Sequence, residues 1–139
     1  MKISASVDSN QGAYHVSLQT AGRVHSIQIA PKPDGAGSSV NGGEALALAL
    51  ATCHCNDIYR EAARRGLKVE RVQVEVDSEF GAECAAASSL VYRARVAAEA
   101  SRAEILDLMK HTDTVAEIQN TLRAGIRVVM EGAEAVGRE

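Results

Sequence analysis

The sequence predicts an α+β fold: antiparallel sheets around long central helices, in the order βββ-α-ββ-α-α-β. Three observations carry this expectation. Period-two alternation of apolar residues recurs in two separate regions, Tyr14 to Ile29 and Val72 to Ala98. Between them lies an Ala/Leu run with strong helix propensity. After them come two short segments with helical capping signals, so strands and helices are grouped instead of alternating as in a parallel α/β chain.

Near the N-terminus, Tyr14, Val16 and Leu18 share one strand face and Ile27 and Ile29 share another. Gly12 and Ala21-Gly22 supply the turns between them, which reads as an antiparallel meander. The stretch Pro31-Lys-Pro-Asp-Gly-Ala-Gly-Ser-Ser39 then breaks regular structure, because proline cannot donate to a ladder and neither proline nor glycine suits a helix interior. A mobile loop is expected there.

Asn41-Gly-Gly-Glu44 has the form of a capping box, with the Asn side chain taking an orphan amide and Glu44 reaching back. The helix it opens can continue to Arg65, with Arg60, Arg64 and Arg65 against the negative dipole end and Gly66 as left-handed cap. At 1.5 Å per residue it would be about 35 Å long. Its first half is apolar on every side, which places it in the centre of the molecule or of a dimer.

Alternation returns in Val72, Val74, Val76 and Phe80, then in Leu90, Tyr92, Ala94, Val96 and Ala98. With Gly81-Ala-Glu83 between the runs this predicts a long hairpin. Ser101-Arg-Ala-Glu104 and Thr114-Val-Ala-Glu117 read as two further capping boxes, opening helices that carry Leu108 and Ile118. Gly125 ends the second of these, and Ile126, Val128 and Met130 suggest a last strand before a polar tail. The whole, residues 1–139, is expected to form one domain.

Charge and composition narrow the function. The formal charge is −3 and the longest basic cluster is Arg64-Arg65, so no nucleic acid partner is expected. The longest apolar run, Ala45 to Ala51, is far short of a membrane span, and no apolar leader is expected from the polar alternation after Met1-Lys2-Ile3-Ser4. No membrane association is expected. Three cysteines, Cys53, Cys55 and Cys84, do not make a secreted disulfide framework, and reduced thiols in a cytoplasmic protein follow. One Phe, three Tyr and no Trp leave a core of small aliphatics, which favours burial against a partner surface.

The chemically unusual segment is Ala51-Thr-Cys53-His54-Cys55-Asn-Asp57. Cys53 and Cys55 stand about 200° apart on a helix, too divergent for a disulfide. A buried cysteine can serve as a small apolar residue, or as a nucleophile if a cation lowers its pKa. Asp57, one turn on, would act the other way and raise it. Cys53, His54, Cys55, Cys84 and His111 could be metal ligands, but the three neighbours point three ways and no paired ligand motif occurs, so no metal or other cofactor is expected. The glycine-rich Gly35 to Gly43 lacks the Lys-Ser/Thr of a phosphate loop and reads as a connection. His15 and His25 should face solvent, and His111 should sit against a helix dipole.

Gly42-Gly-Glu44-Ala-Leu-Ala-Leu-Ala-Leu-Ala-Thr-Cys53, a Glu opening an Ala/Leu helix with a Cys nine residues on, resembles the core-helix signature of the osmotically inducible protein C (OsmC) and organic hydroperoxide resistance family. Ala62-Ala-Arg-Arg-Gly66-Leu67-Lys-Val69 before a valine hairpin is similar to the family's next passage. The resemblance spans Val40 to Val129.

The resemblance implies an OsmC-like intertwined homodimer with both long helices buried centrally and active sites between subunits. It also implies a thiol peroxidase that takes organic hydroperoxides, with Cys53 attacking and Glu44 and an arginine tuning it. Arg23, the only arginine before the core helix, is the candidate cation. The family's second-helix motif, Cys-Pro-ϕ-Ser-Asn-x-Leu, is replaced by Ala116-Glu-Ile-Gln-Asn-Thr-Leu122, so the resolving cysteine is missing. The Pro-x-Glu-Leu that opens the family's core helix is also replaced, by Gly42-Gly43-Glu44-Ala45. Two functions stay open: a one-cysteine hydroperoxide reductase recycled by an external thiol, or by Cys55 or Cys84 after rearrangement, and a non-catalytic dimer with a structural or small-ligand-binding role.

Overall fold

The computed structural model describes residues 1–138. It falls into two compact units, Met1–Leu48 and a second beginning at Ala49.

In the first unit, β1 (Ile3–Asn10), β2 (Ala13–Thr20) and β3 (Arg23–His25) form an antiparallel meander in chain order. Both hairpins close with two-residue turns, since Asn10 pairs with Ala13 and Thr20 with Arg23. Gln11 and Gly12, then Ala21 and Gly22, all have positive φ, the conformation whose twist matches paired strands. Glycine takes it freely, whereas at Ala21 (φ 48°) it costs about 1 kcal/mol. The third strand is shorter than the alternation predicts: its pairing with β2 ends at His25, so Ile27 and Ile29 lie beyond the ladder.

Helix α1 (Gly42–Arg64) begins as the sequence predicts. The Glu44 amide donates to Asn41 Oδ1 at 2.8 Å and the Asn41 amide to Glu44 Oε2 at 3.1 Å. At the other end the Leu67 amide reaches back to the Ala62 carbonyl and the Gly66 amide to that of Ala63. This pair of hydrogen bonds, with Gly66 at φ 69°, is a Schellman cap. In its first half Leu48 is 59% exposed in the single chain, and full burial begins at Leu50.

In the second unit β4 (Val69–Phe80) and β5 (Ala87–Ala98) pair as one long antiparallel hairpin with a register shift between Val69 and Arg71. Val72, Val74 and Val76 face Val96, Ala94 and Tyr92 on its half-buried side. Ile58, Ala62 and Leu108 form the buried centre, with Leu67, Val69, Val72, Val96 and Met109 packed around it. Helix α2 (Arg102–Val115) starts with the Ser101/Glu104 capping box, both bonds present.

Helix α3 (Glu117–Ala124) does not start as predicted. Thr114 lies inside the last turn of α2 and its hydroxyl donates to the His111 carbonyl, so the N-cap is Ala116, with no side-chain bond. The Glu117 carboxylate is thereby released for other partners. The predicted last strand also does not form: Ile126, Val128 and Met130 are 67%, 91% and 80% exposed and pair with no strand. Alternating apolar residues become a strand only where an open ladder accepts their backbone groups, and among the described residues none does. No helix among them is long and apolar enough to cross a membrane.

Candidate functional site

Cys53, Asp57 and Arg60 occupy positions i, i+4 and i+7 of α1, so the helical period puts them on one face. The first turn of α3 brings Glu117 opposite them. The Cys53 thiol lies 3.5 Å from Asp57 Oδ2 and 3.7 Å from Glu117 Oε2. Arg60 ties the two carboxylates together, with Nη1 3.0 Å from Asp57 Oδ1 and 2.7 Å from Glu117 Oε1. Its Nε also donates to Glu61, which is buried and takes Arg64 as well.

The electrostatics follow from this geometry. Burial pushes the Cys53 thiol above its ordinary value, and the nearby Asp57 carboxylate pushes it further, against a lowering hydrogen bond from the Ile118 backbone. Burial likewise raises Asp57, aided by Glu117. Glu117 is lowered by its own backbone amide and by the donors around it, so of the two carboxylates Asp57 is the stronger base. Cys53 therefore rests as a thiol beside a carboxylate that can accept its proton.

Asp57 stands where the sequence places it and has the expected effect. Arg60 and Glu117 are the members that sequence reasoning missed. Arg60 carried a usable signal, since it shares the i, i+4, i+7 face. Glu117 carried none, because its arrival depends on how α3 packs. Glu44 is exposed at the start of α1, its carboxylate engaged by the Asn41 amide. Arg23 is exposed on β3 in the first unit. Cys55 is partly buried, and Cys84 is exposed at the tip of the β4–β5 hairpin. Neither is in a disulfide.

The residues offered by the sequence as metal ligands do not converge. Among the described residues the ligand atoms that do are those of Cys53, Asp57 and Glu117, within 4.8 Å of one another. Arg60 already supplies positive charge to both carboxylates. His54 faces Tyr92 instead, with ring centroids 4.9 Å apart. His15 and His25 are exposed, as expected. His111 does not serve as a simple dipole partner: its Nε2 lies 3.6 Å from the buried Glu61 carboxylate.

The family of OsmC-like proteins matches residues 35–131, and the chain belongs to it. Solved structures agree on the fold. An OsmC-like protein from Mycoplasma pneumoniae superposes with a TM-score of 0.66 at 14% identity, over 88% of each chain. An OsmC-like protein of unknown function from Vibrio cholerae gives 0.60 at 18% identity, over 87% of this chain and 93% of its own. An organic hydroperoxide resistance protein from Elizabethkingia anophelis gives 0.59 at 16% identity, over 88% and 89%. No curated protein matches the chain.

Proposed function

We propose that the chain is a thiol-dependent organic hydroperoxide reductase with Cys53 as its single peroxidatic cysteine. The observation that carries the reading is the Cys53 thiol within hydrogen-bonding reach of two carboxylates bridged by one guanidinium. A resting thiolate is not required. As the sulfur attacks the terminal peroxide oxygen, the S–H proton passes to Asp57, whose raised pKa suits a base working nearer neutral pH. The O–O bond breaks, its electron pair leaves on the alkoxide, and that proton is returned to give the alcohol. Cys53 is left as a sulfenic acid. One external thiol condenses with it, releasing water and forming a mixed disulfide, and a second thiol restores Cys53 and departs as the oxidised dimer.

External reduction is supported by Ala116, which stands at the family's resolving position and is fully buried. Glu44 and Arg23 enter the reading as tuning residues on the family resemblance. The homodimer enters it too, supported by the exposed Leu48 on the apolar part of α1. A reducing, cytoplasmic setting supplies the thiol.

Intact-mass analysis after one equivalent of an organic hydroperoxide tests the chemistry. One oxygen on Cys53, with little intramolecular disulfide, is expected. If Cys53 stays reduced while Cys55 or Cys84 oxidises, the assignment fails. Sedimentation tests the dimer: a well-packed monomer at micromolar concentration excludes it, and Leu48→Glu should dissociate the pair. A second reading, a non-catalytic dimer in which Cys53 only packs, is favoured by the upward shift of its thiol. Unchanged peroxide consumption in Cys53→Ser would select it.

A further inference from the structure

Leu50, Cys53, Asp57 and Arg60 recur at helical spacing along one side of α1, and the first turn of α3 lies over that stripe. Gln119 meets its N-terminal end, where the side-chain Nε2 donates to the Leu50 carbonyl at 3.1 Å. Two residues before Gln119, Glu117 lies 3.7 Å from the Cys53 sulfur and 2.7 Å from Arg60 Nη1. All three contacts join α3 to α1, and they follow the stripe in order.

The contacts differ in burial. The Glu117 side chain is 62% exposed and that of Arg60 35%, so water competes for their pairing and it holds the helices weakly. Gln119 is 3% exposed and Leu50 4%, so their bond is sheltered. The N-cap of α3, Ala116, makes no side-chain bond, and the bonds of Asn120 and Arg123 to Thr114 and Asp113 tie α3 to α2 instead of α1. Burial of the carboxamide is only partly offset, because Oε1 is shielded from solvent without a hydrogen-bond partner. An apolar side chain of the same length would pack there without that cost. What the polar group adds is direction, since a bond to one carbonyl fixes the register of two helices.

We infer that Gln119 is a positioning residue of the Cys53 site: its bond to the Leu50 carbonyl sets the register of α3 on α1 and so holds the Glu117 carboxylate at the Cys53 sulfur. This role rests on the reading of Cys53 as the reactive thiol, and Gln119 itself touches none of the reacting atoms. Asp57 shares α1 with Cys53, so its effect on the thiol is independent of the register. The effect of Glu117 depends on it.

The experiment is a mutant cycle on the whole chain, read by the pH dependence of Cys53 alkylation resolved by peptide. Asp57→Asn and Glu117→Gln should each move the Cys53 midpoint down, since both carboxylates raise it. In a Gln119→Met background, which keeps the side-chain length and loses the donor, the Asp57→Asn shift should persist and the Glu117→Gln shift should shrink to less than about half. Urea unfolding of Gln119→Met should stay close to that of the native chain, because the unpartnered Oε1 is removed with the bond and the Leu50 carbonyl keeps its place in the α1 ladder. Gln119→Leu provides a second background without a donor. A Glu117→Gln shift that is undiminished in both backgrounds or absent from the native chain, equal shrinkage of the Asp57→Asn shift, or failure of both Gln119 variants to fold would each overturn the inference. No peroxide enters the assay, so a chain that reduces no hydroperoxide still gives a clear result for Gln119.

Discussion

The Cys53 thiol lies 3.5 Å from the carboxylate of Asp57, one helical turn away, and the Arg60 guanidinium that bridges Asp57 and Glu117 is spent on those carboxylates. In a hydroperoxide reductase of this kind the sulfur would be activated by proton transfer to Asp57 at the moment of attack. That arrangement has measurable consequences.

Alkylation of Cys53 by iodoacetamide should be slow at neutral pH, with its midpoint above that of an unperturbed cysteine. Asp57→Asn removes one of the two side chains that raise the thiol, so its midpoint should move down and its neutral-pH rate should rise. Exposed Cys84 should label first in both proteins. Peptide-resolved kinetics read all three sites, and an Asp57→Asn midpoint that stays put or rises would reject this account.

Arg60→Gln leaves Asp57 and Glu117 facing each other without their shared cation. The guanidinium is about one-third exposed (35%), so the loss should be modest, about 1–2 kcal/mol at pH 7. Asp57 already binds its proton more tightly when folded, and losing Arg60 should strengthen that tendency. The deficit should therefore shrink as pH falls through the raised Asp57 pKa, because a neutral carboxyl needs no partner. Urea titrations at neutral and acid pH read this, and a deficit constant with pH would contradict it.

Asp113 behaves in the opposite sense. Burial alone would raise it, but the Tyr92 hydroxyl and Arg123 together hold it below the usual carboxylate range. Its stabilising contribution is thus complete above the unfolded carboxylate pKa and is lost as pH falls through the depressed folded value. Asp113→Asn should cost about 1 kcal/mol at pH 7 and nothing once both forms are protonated. Thermal melts across that range provide the check.

Ile58 has no exposed surface and sits in the buried cluster with Ala62 and Leu108. Ile58→Ala should destabilise the chain by about 2–5 kcal/mol, by lost transfer energy and the cavity left behind. Denaturant unfolding measures it, and a cost below that of an exposed substitution such as Leu106→Ala would contradict the packing described.

The parts of the molecule legible in the sequence are those decided within a few residues. Asn41 and Glu44 bond each other across one turn, Gly66 sits where the backbone must turn left-handed, and Ser101 and Glu104 repeat the first device. Thr114 and Glu117 have the same spacing yet form no box, because α2 continues through Thr114 and the Glu117 side chain is taken by Arg60 and Cys53. A capping motif offers bonds, and tertiary partners can outbid it.

The sequence by itself determined the α+β class, the span of α1, the two hairpin regions, and the nearness of Cys53 to Asp57, since each follows from local propensity and the period of a helix or strand. Only the tertiary structure decided that Arg60 is the cation bridging Asp57 and Glu117, that Glu117 comes to Cys53 from 64 positions along the chain, and that Ile126 to Met130 remain unpaired. The physical reason is the same in each case. Which distant groups meet is set by the packing of whole elements around Ile58 and Leu108, and no local spacing encodes that encounter.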